Sequence, residues 1–383
     1  MHRFGPYTCM IIGSIFDGIW ILTSLVPVMK IKHDLDQNKV LHPEPFYFSD
    51  AFVYFIVLFT SILGGLGESI QWVAQGKYIS DCATEKTKGF FFGYFWIFFM
   101  ASQIFGSVLA ALVFKFFSLS TFYVTMTVFS LISGVIFYFL KDPIRPLLAD
   151  GEASSTALGE ESEASTYSEL TREVVKRDMK LTLQLMVDKR MLFLAPEILW
   201  SGMSLAIFTG LLVLTISESV KGNENDKMMK SMLAMVSLGF GEIVGSLSIG
   251  QVIDRAGNKL TSVITLILII VQTVFTLSFV SSGTYGSLVF IMMFVWGLQD
   301  SVVNTHISEI LGFEFEDNTR PFSVFNIIQS VGIFTYLTSE AYVKSKSQQF
   351  AFHLISGLLG FTFCAFTLKF PYKHRPHNQE EHS

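Results

Sequence analysis

Long apolar stretches dominate the chain, and the polar residues cluster in the segments between them. An α-helix needs about 20 mostly apolar residues to cross the hydrocarbon core of a bilayer. These stretches lack the alternation of apolar and polar positions that a membrane β-barrel requires. The pattern therefore predicts an all-α polytopic membrane protein with about ten transmembrane helices. The stretches that reach spanning length are 7–29, 48–76, 89–114, 119–140, 191–216, 229–252, 260–280, 285–311, 321–343 and 348–370.

Composition agrees with lipid as the solvent. Of the 383 residues, 51% are hydrophobic and 15% are charged, whereas soluble proteins carry about 25% charged residues. Mean hydropathy is +0.49. The sequence contains no basic tract that would indicate nucleic-acid binding. The apolar composition makes the lipid bilayer the expected partner. Cys9, Cys82 and Cys364 lie far apart and form no CxxC, which predicts neither a disulfide framework nor a metal site.

The longest interruption divides the stretches into four and six. The predicted domains are an N-terminal bundle over 1–140, a cytoplasmic linker over 141–190, a six-helix bundle over 191–371 and a cytoplasmic tail over 372–383. Placing the N-terminus in the cytoplasm puts 18 Lys and Arg residues on the cytoplasmic side and 9 on the other. The positive-inside rule therefore predicts that both termini are cytoplasmic.

The linker has two parts of different character. Residues 150–169 hold six acidic residues and no basic ones, a composition typical of disorder. From Ser168 to Arg190, apolar residues recur at near-helical spacing among basic ones. This second part is either a short amphipathic helix on the inner membrane surface or a solvated charged linker. The apolar positions are Leu170, Val174, Leu181 and Leu185.

A glycine- and charge-containing motif lies between the sixth and seventh stretches. It consists of Gly250, Asp254, Arg255, Gly257 and Lys259, and it resembles the GxxxDRxGxK signature of the major facilitator superfamily. Glycines permit the tight turns of a short loop between helices, and an arginine can pair with a carboxylate at a neighbouring helix end. In that superfamily the motif follows the second helix of each six-helix half, which is its position here.

A second set of motifs resembles the UNC-93-like family, a divergent branch of the same superfamily. Its box contains Trp72, Gln75, Gly76 and Tyr78, preceded by a glycine-rich stretch from Gly64. Segments that resemble the family's later helices follow in order at 238–245, 297–312 and 321–332. Gln71, Gln299 and His306 depart from the family pattern.

The resemblance implies twelve helices, with the box closing the fourth. Here the box closes the second predicted span, which implies that the first two helices are absent and that the N-terminal half is incomplete. A truncated isoform, a fragmentary gene model and a reduced family member would each produce this arrangement.

Carboxyl side chains inside the predicted spans are the main candidates for function, because ionisable groups are costly in a membrane. No Lys or Arg lies centrally in a span to pair with them. They are candidates for proton coupling or cation binding, and the alternative is polar bonding between helices. For Asp17 and Glu197 we favour a structural role, either bonding between helices or a position at a helix end. The candidates for a substrate or ion pathway are Glu68, Glu242, Asp300, Asn304 and Gln329.

The remaining motifs do not indicate catalysis. Trp72 and Tyr78 fit aromatic anchoring at the membrane interface better than ligand stacking. No HExxH, P-loop or Ser/His/Asp pattern occurs, so we predict neither an enzyme, a cofactor nor a metal centre.

Two functions follow from the resemblance. UNC-93-like proteins are regulatory partners of potassium channels or trafficking chaperones, which implies an accessory protein that acts on a channel or receptor. The superfamily implies a secondary transporter with its site between two six-helix halves. Absence of two helices would remove part of that cavity wall, so the accessory function is favoured.

Overall fold

The computed structural model describes residues 5–35, 45–82, 88–141, 176–177, 179–315 and 319–372. Within these residues the chain is almost entirely helical. The first helices are α1 (Gly5–Thr23), α2 (Leu25–Leu35), α3 (Asp50–Cys82), α4 (Lys88–Phe116) and α5 (Leu119–Tyr138). A short helix, α6, covers residues 176–177 and 179–186. The last helices are α7 (Lys189–Ala206), α8 (Leu212–Ser219), α9 (Glu224–Ala256), α10 (Asn258–Ser282), α11 (Ser287–Phe313), α12 (Thr319–Glu340) and α13 (Lys346–Ala365).

The described residues contain 9 helical segments that are long and apolar enough to cross a membrane. They match nine of the ten predicted stretches. The remaining stretch, 89–114, lies in α4, of which Ala101–Phe116 is a shorter apolar helix within the described residues. The prediction of an all-α polytopic protein is confirmed. The predicted disordered stretch 150–169 lies outside the described residues, as does nearly all of the predicted tail.

The described residues fall into two compact units. Unit 1 contains α1, α2, α3 and α5 together with most of α4, and unit 2 contains α6 to α13 and the α4 segment Met100–Val108. The predicted domain boundaries remain predictions.

In unit 1, α1 packs between α3 and α5 through small residues. A Cβ atom added at Gly67 would lie 2.7 Å from the Phe16 Cβ and 3.1 Å from the Gly13 carbonyl oxygen, so α1 and α3 touch backbone to backbone. On the other side of α1, the Ser133 hydroxyl donates to the Ser14 Oγ at 3.1 Å. Lys30 of α2 forms an ion pair with Asp50 at the start of α3. Close approach through small side chains is the usual way for helices to associate in lipid.

In unit 2, the segment formed by α7 and α8 lies in the core. Its largest fully buried side chains include Trp200 and Phe208. Pro196 lies inside α7, where a proline removes one helical hydrogen bond. A five-residue π-helical segment, Ile207–Leu211, then joins α7 to α8. These interruptions, which often mark functional positions in helices, occur in the most buried span of the unit.

Glycines bring two helix pairs of unit 2 into backbone contact. A Cβ atom at Gly297 of α11 would collide with the Leu238 carbonyl oxygen of α9, and one at Gly241 of α9 would collide with the Phe294 carbonyl oxygen of α11. A Cβ atom at Gly202 of α7 would likewise collide with the Gln329 carbonyl oxygen of α12. Gly241 and Gly297 of the predicted family segments are therefore required by packing, whereas a Cβ atom at Gly312 would meet nothing within 4 Å.

Candidate functional site

Polar side chains from three helices meet inside unit 2 and form what we call the mid-bundle cluster. Its members are Ser204 of α7, Glu242 of α9, and Gln299, Asp300 and Asn304 of α11. Glu242 is 1% exposed and Asp300 is 6% exposed, and they lie close enough for their charges to repel. The sequence candidates Glu242, Asp300 and Asn304 thus come together in one place.

Hydrogen bonds satisfy part of this cluster. The Asn304 amide donates to the Asp300 Oδ2 at 3.0 Å, and the Ser204 hydroxyl donates to the Gln299 Oε1 at 3.2 Å. Neither the Glu242 Oε2 nor the Gln299 Nε2 has a hydrogen-bond partner among the described residues. Buried carboxyls inside a membrane span are typical of proton or cation pathways, and this is the chemistry that the cluster offers.

The other two pathway candidates lie elsewhere. The Gln329 amide of α12 donates to the Ser201 hydroxyl of α7 at 3.2 Å, so it links two helices one turn from Ser204. Glu68 lies in unit 1, where its side chain is exposed and accepts a hydrogen bond from the Trp72 indole at 3.4 Å. The charges of Glu68 and Asp17 interact. Glu68 therefore does not belong to the mid-bundle cluster.

A fully buried acid–histidine pair lies near the beginning of α7. The Glu197 Oε1 is 3.0 Å from the His306 Nδ1 of α11, and both side chains are 0% exposed. The Glu197 Oε2 has no partner among the described residues. The structural interpretation of Glu197 requires a polar partner on a neighbouring helix, and His306 is that partner. In the sequence, His306 was noted only as a departure from the family pattern.

The residues after α13 close over this pair. The Tyr372 hydroxyl lies 3.5 Å from the His306 Nε2 and donates to the Thr367 carbonyl oxygen at 3.1 Å. Burial raises the pKa of Tyr372 above its usual range, so the hydroxyl keeps its proton at neutral pH. The order Glu197, His306, Tyr372 forms a polar chain from the core towards the end of the bundle.

Arg190, in the first turn of α7, holds this end of unit 2 together. Its guanidinium donates to the Glu314 side chain at 2.8 Å, to the Glu314 carbonyl oxygen at 2.6 Å and to the Pro371 carbonyl oxygen at 3.0 Å. It also lies over the rings of Phe315 and Phe370. One planar side chain thus joins the beginning of α7, the end of α11 and the segment after α13, a role suited to arginine. We call this arrangement the Arg190 clasp.

The charged loop motif forms the shortest connection in unit 2. Gly257 alone separates α9 from α10, and its φ is 79°, a left-handed conformation that favours glycine. A Cβ atom at Gly250 would meet nothing within 4 Å, and Lys259 is exposed. The side chains of Asp254 and Arg255 lie outside the described residues. The glycine role predicted for the turn therefore belongs to Gly257.

The Trp72 box packs inside unit 1. Trp72 lies edge-on to Phe99 of α4 at 5.2 Å between ring centroids, and the Tyr78 hydroxyl donates to the Lys141 carbonyl oxygen at 3.0 Å. Gln75 is partly buried, and Gly76 lies within α3. Both aromatic residues have protein contacts, so they also fasten α3 to its neighbours.

Comparison with protein-family models decides the family. The model described as "Ion channel regulatory protein UNC-93" matches residues 45–366. The chain belongs to the UNC-93 family. The match covers every described segment from the beginning of α3 to the end of α13, so it includes part of unit 1 and nearly all of the described part of unit 2 of this UNC-93 protein, while α1 and α2 precede it.

Curated relatives agree with this assignment. UNC93-like protein MFSD11 of Xenopus tropicalis is 26% identical over 298 residues, which cover 71% of this chain and 66% of the relative. UNC93-like protein 3 of Arabidopsis thaliana is 25% identical over 317 residues, covering 77% of this chain and 64% of the relative. This UNC-93 protein therefore spans just under two thirds of the length of these relatives.

Solved structures show the fold. The xylose transporter XylE from E. coli aligns with a TM-score of 0.64 at 13% identity, over 97% of this chain and 83% of XylE. A bacterial homologue of the iron transporter ferroportin aligns with a TM-score of 0.59 at 12% identity, over 95% of this chain and 84% of the homologue. At such identities the likeness concerns the fold alone. The UNC-93 protein has the major-facilitator fold of a multi-pass membrane protein.

The described residues hold no group of three or more His, Cys, Asp or Glu side chains that could bind a metal ion. Sequence reasoning missed the His306 partner of Glu197 and the Arg190 clasp. The sequence signal for the Arg190 clasp was an arginine just before the apolar stretch 191–216, and the signal for the pair was a histidine within the apolar stretch 285–311.

Proposed function

We propose that this protein is a regulatory or trafficking accessory subunit of another membrane protein, an ion channel or a receptor, and that it neither transports a solute nor catalyses a reaction. The observation that carries the proposal is the match to a family described as ion channel regulatory over residues 45–366. The match extends over α3 to α13 and so supports the proposal for parts of both units.

The packing of unit 2 supports this proposal. Most polar groups near the mid-bundle cluster bond to a neighbouring group, as Asn304 does to Asp300 and Gln329 does to Ser201. Glycines bring α9 against α11 and α7 against α12 without intervening side chains. Hydrogen bonds between helices and small-residue contacts stabilise a membrane bundle. Polar residues in this arrangement have a structural use that requires no substrate.

A second candidate function is secondary transport of a small solute coupled to protons. The observation that favours it is the Glu242 carboxyl, which is buried beside Asp300 and has an oxygen without a partner among the described residues. Carboxyls of this kind in a span are typical of proton pathways. The transporter folds that align with this chain support the candidate only through their architecture.

Flux measurements separate the two candidates. The purified chain would be reconstituted into liposomes that contain a pH-sensitive dye and tested against a panel of labelled solutes. The accessory proposal predicts no saturable solute or proton flux. Saturable flux that Glu242→Gln and Asp300→Asn both abolish, and that Glu218→Gln retains, would overturn it. Glu218 is a suitable control because it is an exposed glutamate at the end of α8.

A second experiment tests the accessory function directly. A candidate channel would be expressed with and without this protein, and its current density and surface abundance would be measured. We expect one of the two to change at least twofold, together with co-purification of the complex. Unchanged values across the channel classes tested, combined with saturable flux in liposomes, would favour the transporter.

We also propose that both termini face the cytoplasm, because 18 of the 27 Lys and Arg residues then lie on the cytoplasmic side. Epitope tags at the two ends should both be inaccessible to antibody in intact cells and accessible once the plasma membrane alone is permeabilised. Accessibility of a tag from the opposite side would contradict this orientation.

A further inference from the structure

The short helix α6 packs part of its apolar surface against unit 2 and leaves the rest exposed. Leu185 and Met186 pack against the core of unit 2. Met179 and Leu183 of α6, and Val187 just after it, are 61%, 57% and 71% exposed. Residues two positions apart lie about 200° apart around an α-helix, so Leu183 points away from the core that Leu185 contacts. Met186 lies about 20° around the helix from Met179, so the exposed apolar stripe borders the covered surface at the C-terminal end of α6.

A row of polar residues borders the exposed apolar face. Lys176, Lys180 and Gln184 follow one another at four-residue spacing, and all three are exposed. They line the same shallow surface depression as Met179, Leu183 and Val187. Between 176 and 190 the sequence holds five basic residues and two acidic ones. The exposed face is therefore apolar in the middle and cationic along one edge.

The chain places α6 at the membrane surface. Only Val187 and Asp188 separate it from α7, and the membrane span begins at Lys189. The Asp188 side chain caps α7 by accepting from the Arg190 backbone N–H at 2.9 Å. The three steps from residue 186 to Lys189 reach about 11 Å when extended, so α6 ends within that distance of the membrane span.

We propose that α6 is an interfacial helix that binds anionic phospholipids of the membrane in which the protein sits. Met179, Leu183 and Val187 enter the boundary between headgroups and acyl chains, and Lys176 and Lys180 bind the lipid phosphates. An apolar stripe with lysines at its edge is the arrangement that binds such a surface, and the adjacent span supplies the lipid. This proposal is independent of whether the protein is an accessory subunit or a transporter.

Depth measurements test the apolar part of the proposal. A fluorophore would be attached through Leu183→Cys in full-length protein that carries Cys82→Ser, because Cys9 and Cys364 are buried. The protein would be reconstituted into vesicles that contain lipids spin-labelled near the headgroup. We expect strong quenching at this position, and weaker quenching of the same label at Arg177→Cys, an exposed position of α6 that lies about 120° around the helix from Leu183. Met179→Cys serves as the second probe if Leu183→Cys does not fold.

Lipid competition tests the cationic part. Quenching by spin-labelled phosphatidylglycerol would be compared with quenching by spin-labelled phosphatidylcholine. A lysine near an anionic surface contributes about a fivefold preference, so Lys176→Gln with Lys180→Gln should lower the preference for phosphatidylglycerol at least fivefold. High salt should lower it in the unmodified protein, since exposed charges are screened. The matched control is Lys221→Gln with Lys344→Gln, two exposed lysines elsewhere in unit 2.

Two results would overturn the proposal. If the Leu183 label is quenched only by a water-soluble quencher, α6 is a solvated linker helix. If the label is protected from both lipid and water, another protein segment covers the face. Equal quenching by the two lipids, unchanged in the double lysine variant, would show apolar insertion without recognition of anionic headgroups and would also contradict the proposal as stated.

Discussion

The two units of this protein use different means to hold their helices together. In unit 1, 11% of the apolar window of α5 is buried, whereas in unit 2 the figure for the α7–α8 segment is 67%. The described contacts of α1 in unit 1 run through glycines and serines, such as Gly67 and Ser133, and through a small apolar cluster around Met10. Unit 2 adds a large apolar core, the buried Glu197–His306 pair and the Arg190 clasp.

The difference shows how membrane helices can associate with a small or a large buried core. Lipid is as apolar as leucine, so exposed apolar side chains cost little and close contacts and polar bonds decide association. In its described part, unit 1 combines such contacts with only a small buried apolar cluster. Unit 2 places charged groups where lipid and water are both excluded, so the loss of one partner is expensive. Substitutions should therefore have unequal effects in the two units.

The largest effect is expected from His306→Ala. Its removal leaves the Glu197 carboxyl buried without its partner, and breaking a buried pair costs about 3 kcal/mol. The measurement is the midpoint of thermal unfolding in detergent. His353→Ala is the matched control, because His353 is a buried histidine of α13 whose Nε2 has no partner among the described residues. Equal losses for the two variants would show that the pair contributes nothing beyond packing.

A smaller but still clear loss is expected from Gly297→Ala. The added Cβ would meet the Leu238 carbonyl oxygen, and overpacking of this kind costs about 2 kcal/mol. Gly250→Ala in α9 and Gly65→Ala in unit 1 are controls, because a Cβ at either position meets nothing within 4 Å. Both controls should stabilise their helices by up to about 1 kcal/mol. A neutral Gly297→Ala variant would contradict the backbone contact between α9 and α11.

Arg190→Lys should cost about 1.5 kcal/mol, because an ammonium group cannot reproduce the planar contacts of a guanidinium. The effect should be local. Hydrogen exchange at residues 370–372 is expected to accelerate, while exchange in α5 stays unchanged. Lys189→Gln is the control, since Lys189 is exposed in the same turn. Unchanged exchange after α13 would show that the Arg190 clasp does not hold this segment.

The smallest effect is expected in unit 1, from Ser133→Ala. Hydrogen bonds between helices in a membrane contribute about 0.6 kcal/mol on average, and Ser133 makes one to Ser14. Ser69→Ala is the control, because the Ser69 hydroxyl is exposed and bonds within its own helix. A loss as large as that of His306→Ala would remove the contrast between the two units.

The sequence was most informative about local features. Apolar length predicted nine spans that the described residues contain, and the spacing of Gly250, Asp254 and Gly257 predicted the tight turn between α9 and α10. It also named Glu242, Asp300 and Asn304, which proved to be neighbours. The prediction of the spans is confirmed because helix length depends on residues close in sequence. A functional role for the loop motif and for the three polar residues stays a prediction, and the approach of Glu242 to Asp300 depends on the packing of two different helices.

The tertiary structure decided which positions distant in sequence come into contact. Glu197 and His306 lie 109 positions apart, and Arg190 and Pro371 lie 181 positions apart. No pattern along a helix indicates which neighbour a buried side chain will meet, because apolar residues occur on every face in a membrane. Likewise, the sequence left open whether the segment before α7 is an amphipathic helix or a solvated linker, and the structure shows a helix with an exposed apolar stripe. The chain by itself determined that it enters a membrane and in which segments, since transfer into lipid depends on local composition. Which carboxyl would be paired, and which face would stay exposed, depended on how the helices of unit 2 pack together.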